Sequence, residues 1–186
     1  MASPSTVSQE QLPELIFFFG LAGAGKTYCG NLLSAHFGYH CYDLDADCTS
    51  EMREAIAEGR PFTEEMRDHF FAIVTQRIGE LRLTHSKLLV MQAAYKERHR
   101  AMVVSHHPGL RMVWVDAPDE LISHRLQSRG DSVSAKYASR IRANFEAPVG
   151  GLRLLNDVAD SDELLTRFKG LFLPSQAYAG SPQSHP

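Results

Sequence analysis

The chain has 186 residues, 44% hydrophobic and 22% charged, with a formal net charge of −3. That length suits one domain with a sizeable core, and the charge balance supplies no basic field for nucleic acid. No apolar run approaches the roughly 18 residues of a membrane span, and the polar, acidic opening MASPSTVSQEQ lacks the marks of a secretory leader.

Residues 1–13 are expected to form a flexible lead-in. Leu15 to Phe19 is a continuous apolar run, as in a strand buried on both faces. Lys26 to Phe37 has helical spacing, with Gly38 placed to end it. The segment YHCYDLD reads as a second strand ending in acids. Helices are expected over about Cys48 to Glu58, stopped by Gly59 and Pro61, and from Thr63 to about Leu83. Thr63 caps the second, with Glu64 and Glu65 in its first turn. KLLVMQ is strand three, followed by a helix from Tyr95 to Val104. LRMVWVDAP is strand four, followed by a helix from Pro118 to Ser128. A polar break, SRGDSVS, precedes a further helix from Ala135 to Phe145. GLRLLND is strand five, Ser161 to Leu171 is the last helix, and 174–186 form a polar, disordered tail. The alternation predicts an α/β fold: a doubly wound, parallel five-stranded sheet with helices on both faces, in a single domain over 14–173.

Gly20-Leu-Ala-Gly23-Ala24-Gly25-Lys26-Thr27 fits the phosphate-loop pattern G-x4-G-K-[ST], between an apolar strand and a helix as that pattern requires. The glycines let the backbone wrap phosphate oxygens, and the helix that follows turns its positive end to the anion. Lys26 reaches the β and γ phosphates of ATP, and the Thr27 hydroxyl ligates Mg²⁺. Gly20, Gly23, Ala24, Gly25, Lys26, Thr27 and Tyr28 are the candidate nucleotide-binding residues.

Asp43 and Asp45 follow on the second strand. On an extended segment they point the same way, and their strand is expected to neighbour the one before the phosphate loop, so that acids and loop face one crevice beyond the strand ends. Carboxylates near a triphosphate suit holding Mg²⁺, the role given to Asp43, or accepting a proton from an attacking hydroxyl, the role given to Asp45. Asp47 reads as a helix cap. Arg125 and Arg129 flank the polar break, a lid over about 129–135, and supply positive charge to the transferring phosphate. Arg67, Lys96 and Arg140 are candidate substrate contacts, Arg67 by bidentate grip of a carboxylate. Trp114 reads as core. Cys29, Cys41 and Cys48, odd in number and without metal-like spacing, read as free thiols of a reducing, cytoplasmic compartment.

The stretch DLDADCTSEMREAIAEGRPFTEEMRDHFF resembles the segment after the second strand in gluconate kinases, D-x-D then G-x-P-[LF]-[TN]-[DE]-[DE]-x-R. The matches are Asp43, Asp45, Gly59, Pro61, Phe62, Thr63, Glu64, Glu65 and Arg67. AAYKERHRAMV is similar to that family's S-A-L-K-x-x-Y-R at Ala94, Lys96 and Arg100. ELISHRLQSRGDSVSAKYASRIRANFEAP resembles its lid region at Leu121, Arg125, Leu126, Arg129 and Pro148. The resemblance implies a small kinase of the shikimate/gluconate kinase fold, passing the γ-phosphate of ATP to a hydroxyl of a small, often anionic, metabolite. It also implies Mg²⁺ at the D-x-D acids, substrate on Arg67, and lid arginines on the phosphate. Cys48, Met52 and Ala93 stand where gluconate kinases carry histidine, asparagine and serine, and QAA stands where shikimate kinases carry three glycines. The other readings are a nucleoside or nucleoside-monophosphate kinase and a non-catalytic ATP-binding regulatory module. A monomer or homodimer is expected.

Overall fold

The computed structural model describes residues 12–128 and 142–172. Five strands form one parallel sheet: β1 (Leu15–Phe19), β2 (His40–Asp43), β3 (Leu88–Met91), β4 (Arg111–Asp116) and β5 (Leu152–Leu155), in the order β2-β3-β1-β4-β5. The helices among the described residues are α1 (Lys26–Phe37), α2 (Ser50–Ala57), α3 (Glu64–Arg82), α4 (Glu97–His106), α5 (Asp119–Ser128) and α6 (Ser161–Gly170). The doubly wound α/β architecture read from the alternation is the one observed.

Every residue of β1 and of β3 is buried, as continuous apolar runs require when helices cover both faces of a sheet. Side chains alternate across β1. Ile16 and Phe18 enter a core with Leu33 and Phe37 of α1, Ile122 of α5 and Phe168 of α6. Leu15, Phe17 and Phe19 enter a second core with Met52 of α2, Phe70 and Val74 of α3 and Val103 of α4. Burying each such side chain contributes roughly 1.5–3 kcal/mol, so the central strand is anchored from both sides. The core also reaches further back than the sequence suggested. Leu12, assigned to the lead-in, is only 5% exposed, and the Tyr39 hydroxyl donates to the Pro13 carbonyl at 2.6 Å.

Two expectations about the acids are corrected. β2 does not neighbour β1, because β3 lies between them, paired with β2 through Asp43↔Met91 and with β1 through Phe18↔Met91. Nor are Asp43 and Asp45 on one extended segment. The strand ends at Asp43, and Leu44–Asp47 form a 3₁₀ turn capped by the Asp43 side chain, which accepts the Asp45 N–H at 3.1 Å. A short carboxylate bonding to the backbone two residues on offers the chain this alternative to a ladder. The cap of α2 is Thr49, which accepts the Met52 N–H at 3.2 Å, and not Asp47. Asp47 instead accepts from Arg77 of α3 at 3.0 Å and fastens that helix to the turn.

The connection leaving β1 runs to one side of the sheet, and the one leaving β3 runs to the other. The crevice beyond the carboxyl ends of β1 and β3 is therefore the topological switch point, where ligands of such sheets bind.

Candidate active site

The loop after β1 is shaped by close approach. At Gly20 (φ 145°) a Cβ would lie 2.2 Å from the Val115 carbonyl oxygen, so no side chain fits between loop and β4. Gly25 adopts the left-handed region (φ 94°) at the start of α1, where a Cβ would stand 2.1 Å from Asn156 Nδ2. No side chain caps α1 and no acid occupies its first turn, whereas α2, α3 and α6 all have side-chain caps and first-turn acids. The start of α1 thus turns its positive end to the crevice with no capping side chain or acid to compete with an anion. The Lys26 ammonium lies back across the loop, donating to Gly20 O at 2.9 Å and Leu21 O at 3.2 Å. Thr27 and Tyr28 are exposed on the first turn of α1.

A wall of two residues backs this loop. Asn156, 1% exposed, donates from Nδ2 to Ala24 O at 2.8 Å. Arg125 of α5 donates to Gly23 O and Ala24 O at 3.4 Å each, and to Asn156 O at 3.3 Å. Beside them opens a cavity of about 390 Å³ lined by Gly23, Gly25, Tyr28, Arg125, Asn156 and Val158. Arg125 therefore stands at the outer flank of the phosphate loop rather than free at the mouth of the crevice.

On the other side of the loop stands Asp45. Its Oδ1 accepts from Gln92 Nε2 at 2.7 Å, at the end of β3. Burial, then the charge of Asp43, pushes the Asp45 carboxyl upward, while Lys26 and the Gln92 bond pull it back. The side chain opens to the crevice, yet it is enclosed enough for burial to dominate. An acid, an amide and the loop lysine thus converge where the sheet switches direction.

Arg67 of α3 lies 5.5 Å from the Tyr95 ring centre and donates to Glu64 at 2.5 Å. Its Nε is buried and has no partner among the described residues. The bare ion pair with Glu64 is thus only part of its setting; an aromatic platform orients it toward the β3–α4 loop. Lys96 is engaged elsewhere, donating to Glu146 at 3.0 Å. The same carboxylate accepts the Glu97 N–H at 2.7 Å, a tertiary cap that starts α4 two residues later than its pattern suggested. Arg129, Arg140 and the lid over about 129–135 lie outside the described residues. Arg142 donates to Asp119 at 2.5 Å, at the start of α5. Trp114 is half-buried between Phe145 and the Arg153 guanidinium. The three cysteines are free thiols.

Three residues of this region escaped the sequence reading: Gln92, Asn156 and Glu146. Gln92 left one signal, as the polar residue closing an apolar strand. Arg100 is 3% exposed and donates to Ala94 O at 2.8 Å and Glu146 O at 2.6 Å. No helix among the described residues is long and apolar enough to cross a membrane.

Residues 22–148 match the family model of shikimate kinase. A shikimate kinase from Nostoc punctiforme is 32% identical over 111 residues, covering 60% of this chain and 59% of the relative. The chain thus spans about three fifths of that relative's length. An adenylyl-sulfate kinase from Chloroflexus aurantiacus is 30% identical over 149 residues, covering 76% of this chain and 73% of its own. A gluconokinase structure from Sinorhizobium meliloti superposes with a TM-score of 0.72 at 22% identity, covering 86% of this chain and 91% of that one. At that identity the likeness shows the fold.

Proposed function

This chain belongs to the shikimate kinase family of P-loop small-molecule kinases, and we propose that it passes the γ-phosphate of ATP to a hydroxyl of a small, anionic metabolite. The observation that carries this reading is Asp45: a carboxylate at the switch point, within the electrostatic reach of Lys26 and fixed by Gln92. A chain that only held ATP has no use for a base on the acceptor side of the phosphate.

In the proposed reaction the loop amides and Lys26 hold the β and γ phosphates. The acceptor O–H gives its proton to Asp45 while its oxygen bonds to the γ-phosphorus. The bond from that phosphorus to the β–γ bridging oxygen breaks, and ADP leaves. Lys26 follows the charge as it moves onto the leaving oxygen. The base and ribose of the nucleotide fit the cavity beside Arg125 and Asn156. Arg67, held over Tyr95, receives the anionic group of the acceptor, and Arg129 and Arg140 remain proposed contacts of the phosphate and the acceptor.

The donors present suit Mg²⁺. Thr27 at the loop and Asp43 at the end of β2 offer hard oxygen ligands, and no cluster of three or more His, Cys, Asp or Glu side chains fit to cage a metal occurs among the described residues. Mg²⁺ characteristically takes few protein ligands and keeps waters and phosphate oxygens. When bound it supplies charge that offsets the phosphates.

Adenylyl sulfate is a second acceptor reading, favoured by the greater span over which the Chloroflexus adenylyl-sulfate kinase aligns. The test is ADP formation from MgATP with shikimate, gluconate, adenylyl sulfate and nucleoside monophosphates in parallel. Acceptor-dependent ADP release is expected with an anionic hydroxyl compound. ATP-analogue binding without ADP release from any of them would overturn the kinase reading in favour of a binding module.

A further inference from the structure

Gln92 does two things at once. Its Oε1 accepts the Ala94 N–H at 2.9 Å, and its Nε2 donates to Asp45 Oδ1 at 2.7 Å. Ala94 is the single non-glycine residue with positive φ (40°) among those described, and it is buried. An L-residue held there costs about 1–2 kcal/mol and persists only where its surroundings hold it. Here three bonds do so. Gln92 takes the Ala94 N–H, Arg100 donates to the Ala94 carbonyl at 2.8 Å, and the neighbouring Ala93 carbonyl accepts the Gly20 N–H at 3.2 Å. The turn is therefore tied both to the first glycine of the phosphate loop and, through one carboxamide, to Asp45.

We infer that Gln92 is a positioning residue for phosphoryl transfer, turning the strained Ala93–Ala94 corner into a fixed rotamer of Asp45. The carboxamide has no freedom to flip. With Oε1 committed to an N–H, the –NH₂ must face the carboxylate. Asp45 Oδ1 is thereby occupied, and Oδ2, which has no hydrogen-bond partner among the described residues, is the oxygen presented to an acceptor hydroxyl. The inference rests on Asp45 being the base of the proposed reaction.

Gln92→Glu separates the two ends of the side chain. A glutamate still accepts the Ala94 N–H but replaces the neutral donor to Asp45 with a second carboxyl that competes with Asp45 for one proton. Gln92→Ala removes both bonds, and Gln92→Ala with Ala94→Gly removes both while relieving the corner. The assay is MgATP with whichever of shikimate, gluconate or adenylyl sulfate the wild-type chain phosphorylates. All three variants are expected to lose about 10–100-fold in kcat, the usual cost of freeing a supported group, with KM for ATP within about twofold. Gln92→Ala is expected to lose thermal stability through the two missing bonds, and Gln92→Glu through the carboxyl pair it creates with Asp45. Wild-type kcat in Gln92→Glu, or recovery of kcat on adding Ala94→Gly, would reduce Gln92 to a brace of the turn and overturn the inference. Where the wild-type chain phosphorylates none of the three, Gln92 is judged by NMR. Its side-chain N–H protons are expected to be protected from exchange in the wild type and released in Asp45→Ala. Free exchange in the wild type would overturn the inference independently of activity.

Discussion

Replacing Gly25 with alanine tests how the phosphate loop is held. Two costs arise, and the structure separates them. The first is conformational: φ 94° is a left-handed value, which costs an L-residue about 1–2 kcal/mol. The second is steric. The new Cβ would lie 2.1 Å from Asn156 Nδ2, so Asn156 must leave: its buried amide loses the Ala24 carbonyl it serves at 2.8 Å, and that carbonyl keeps only the longer bond from Arg125. An unsatisfied buried polar group costs about 1–3 kcal/mol. Gly25→Ala is therefore expected to lower unfolding free energy by roughly 2–5 kcal/mol, measured by urea titration followed by circular dichroism. In an Asn156→Ala background the steric part has already been spent, so adding Gly25→Ala should cost only the conformational part, about 1–2 kcal/mol. Equal costs in the two backgrounds would refute the claim that Asn156 and Gly25 are packed against one another. A cost below about 0.5 kcal/mol in the wild-type background, within the range of ordinary surface changes, would refute the loop geometry itself.

Asp45→Asn is expected to cut kcat by about 10²–10⁴-fold while an ATP analogue binds within about threefold of wild type by calorimetry; a large loss of nucleotide affinity would remove Asp45 from the acceptor side. Arg100→Met should destabilise the chain by about 2–4 kcal/mol, because the buried Ala94 carbonyl and the part-buried Glu146 carbonyl lose a charged donor, and a thermal scan matching wild type would contradict that role. Acid should weaken the fold. Burial first, and His85 second, lowers the His40 pKa; burial also lowers those of His99 and His107, at His99 against the opposing pull of Asp68. A depressed histidine pKa means the folded state resists the proton. The stability these groups contribute is complete above the unfolded value of about 6.5 and is lost as pH falls below it. The urea midpoint is expected to drop between pH 7.5 and 5.5, and a midpoint that rises over that interval would reverse the argument.

Local chemistry in the sequence was enough for the elements and for the phosphate loop. The apolar run of β1, the helical spacing of α1 and the glycines between them carry their geometry in consecutive residues, so period and turn chemistry reveal them. Thr63 capped its helix as its pattern required. The acids after β2 were legible only as residue types. Asp43 and Asp45 were visible as acids after a strand, but their geometry was misread, because a single backbone N–H captured by Asp43 replaced the extended segment with a turn. Strand order was equally hidden. β3 enters between β1 and β2, and through that insertion Gln92, 47 positions from Asp45 in the chain, becomes its partner. Lys96 shows the converse: its chemistry suited a substrate anion, and Glu146, 50 positions away, took it up. Asn156 meets Ala24 across 132 positions. A sequence determines by itself what neighbouring residues settle among themselves through φ, ψ, period and capping. Which distant donor meets which acceptor depends on the order and register of the strands, and here the tertiary structure alone decided that Asp45 would accept from a glutamine at the end of β3.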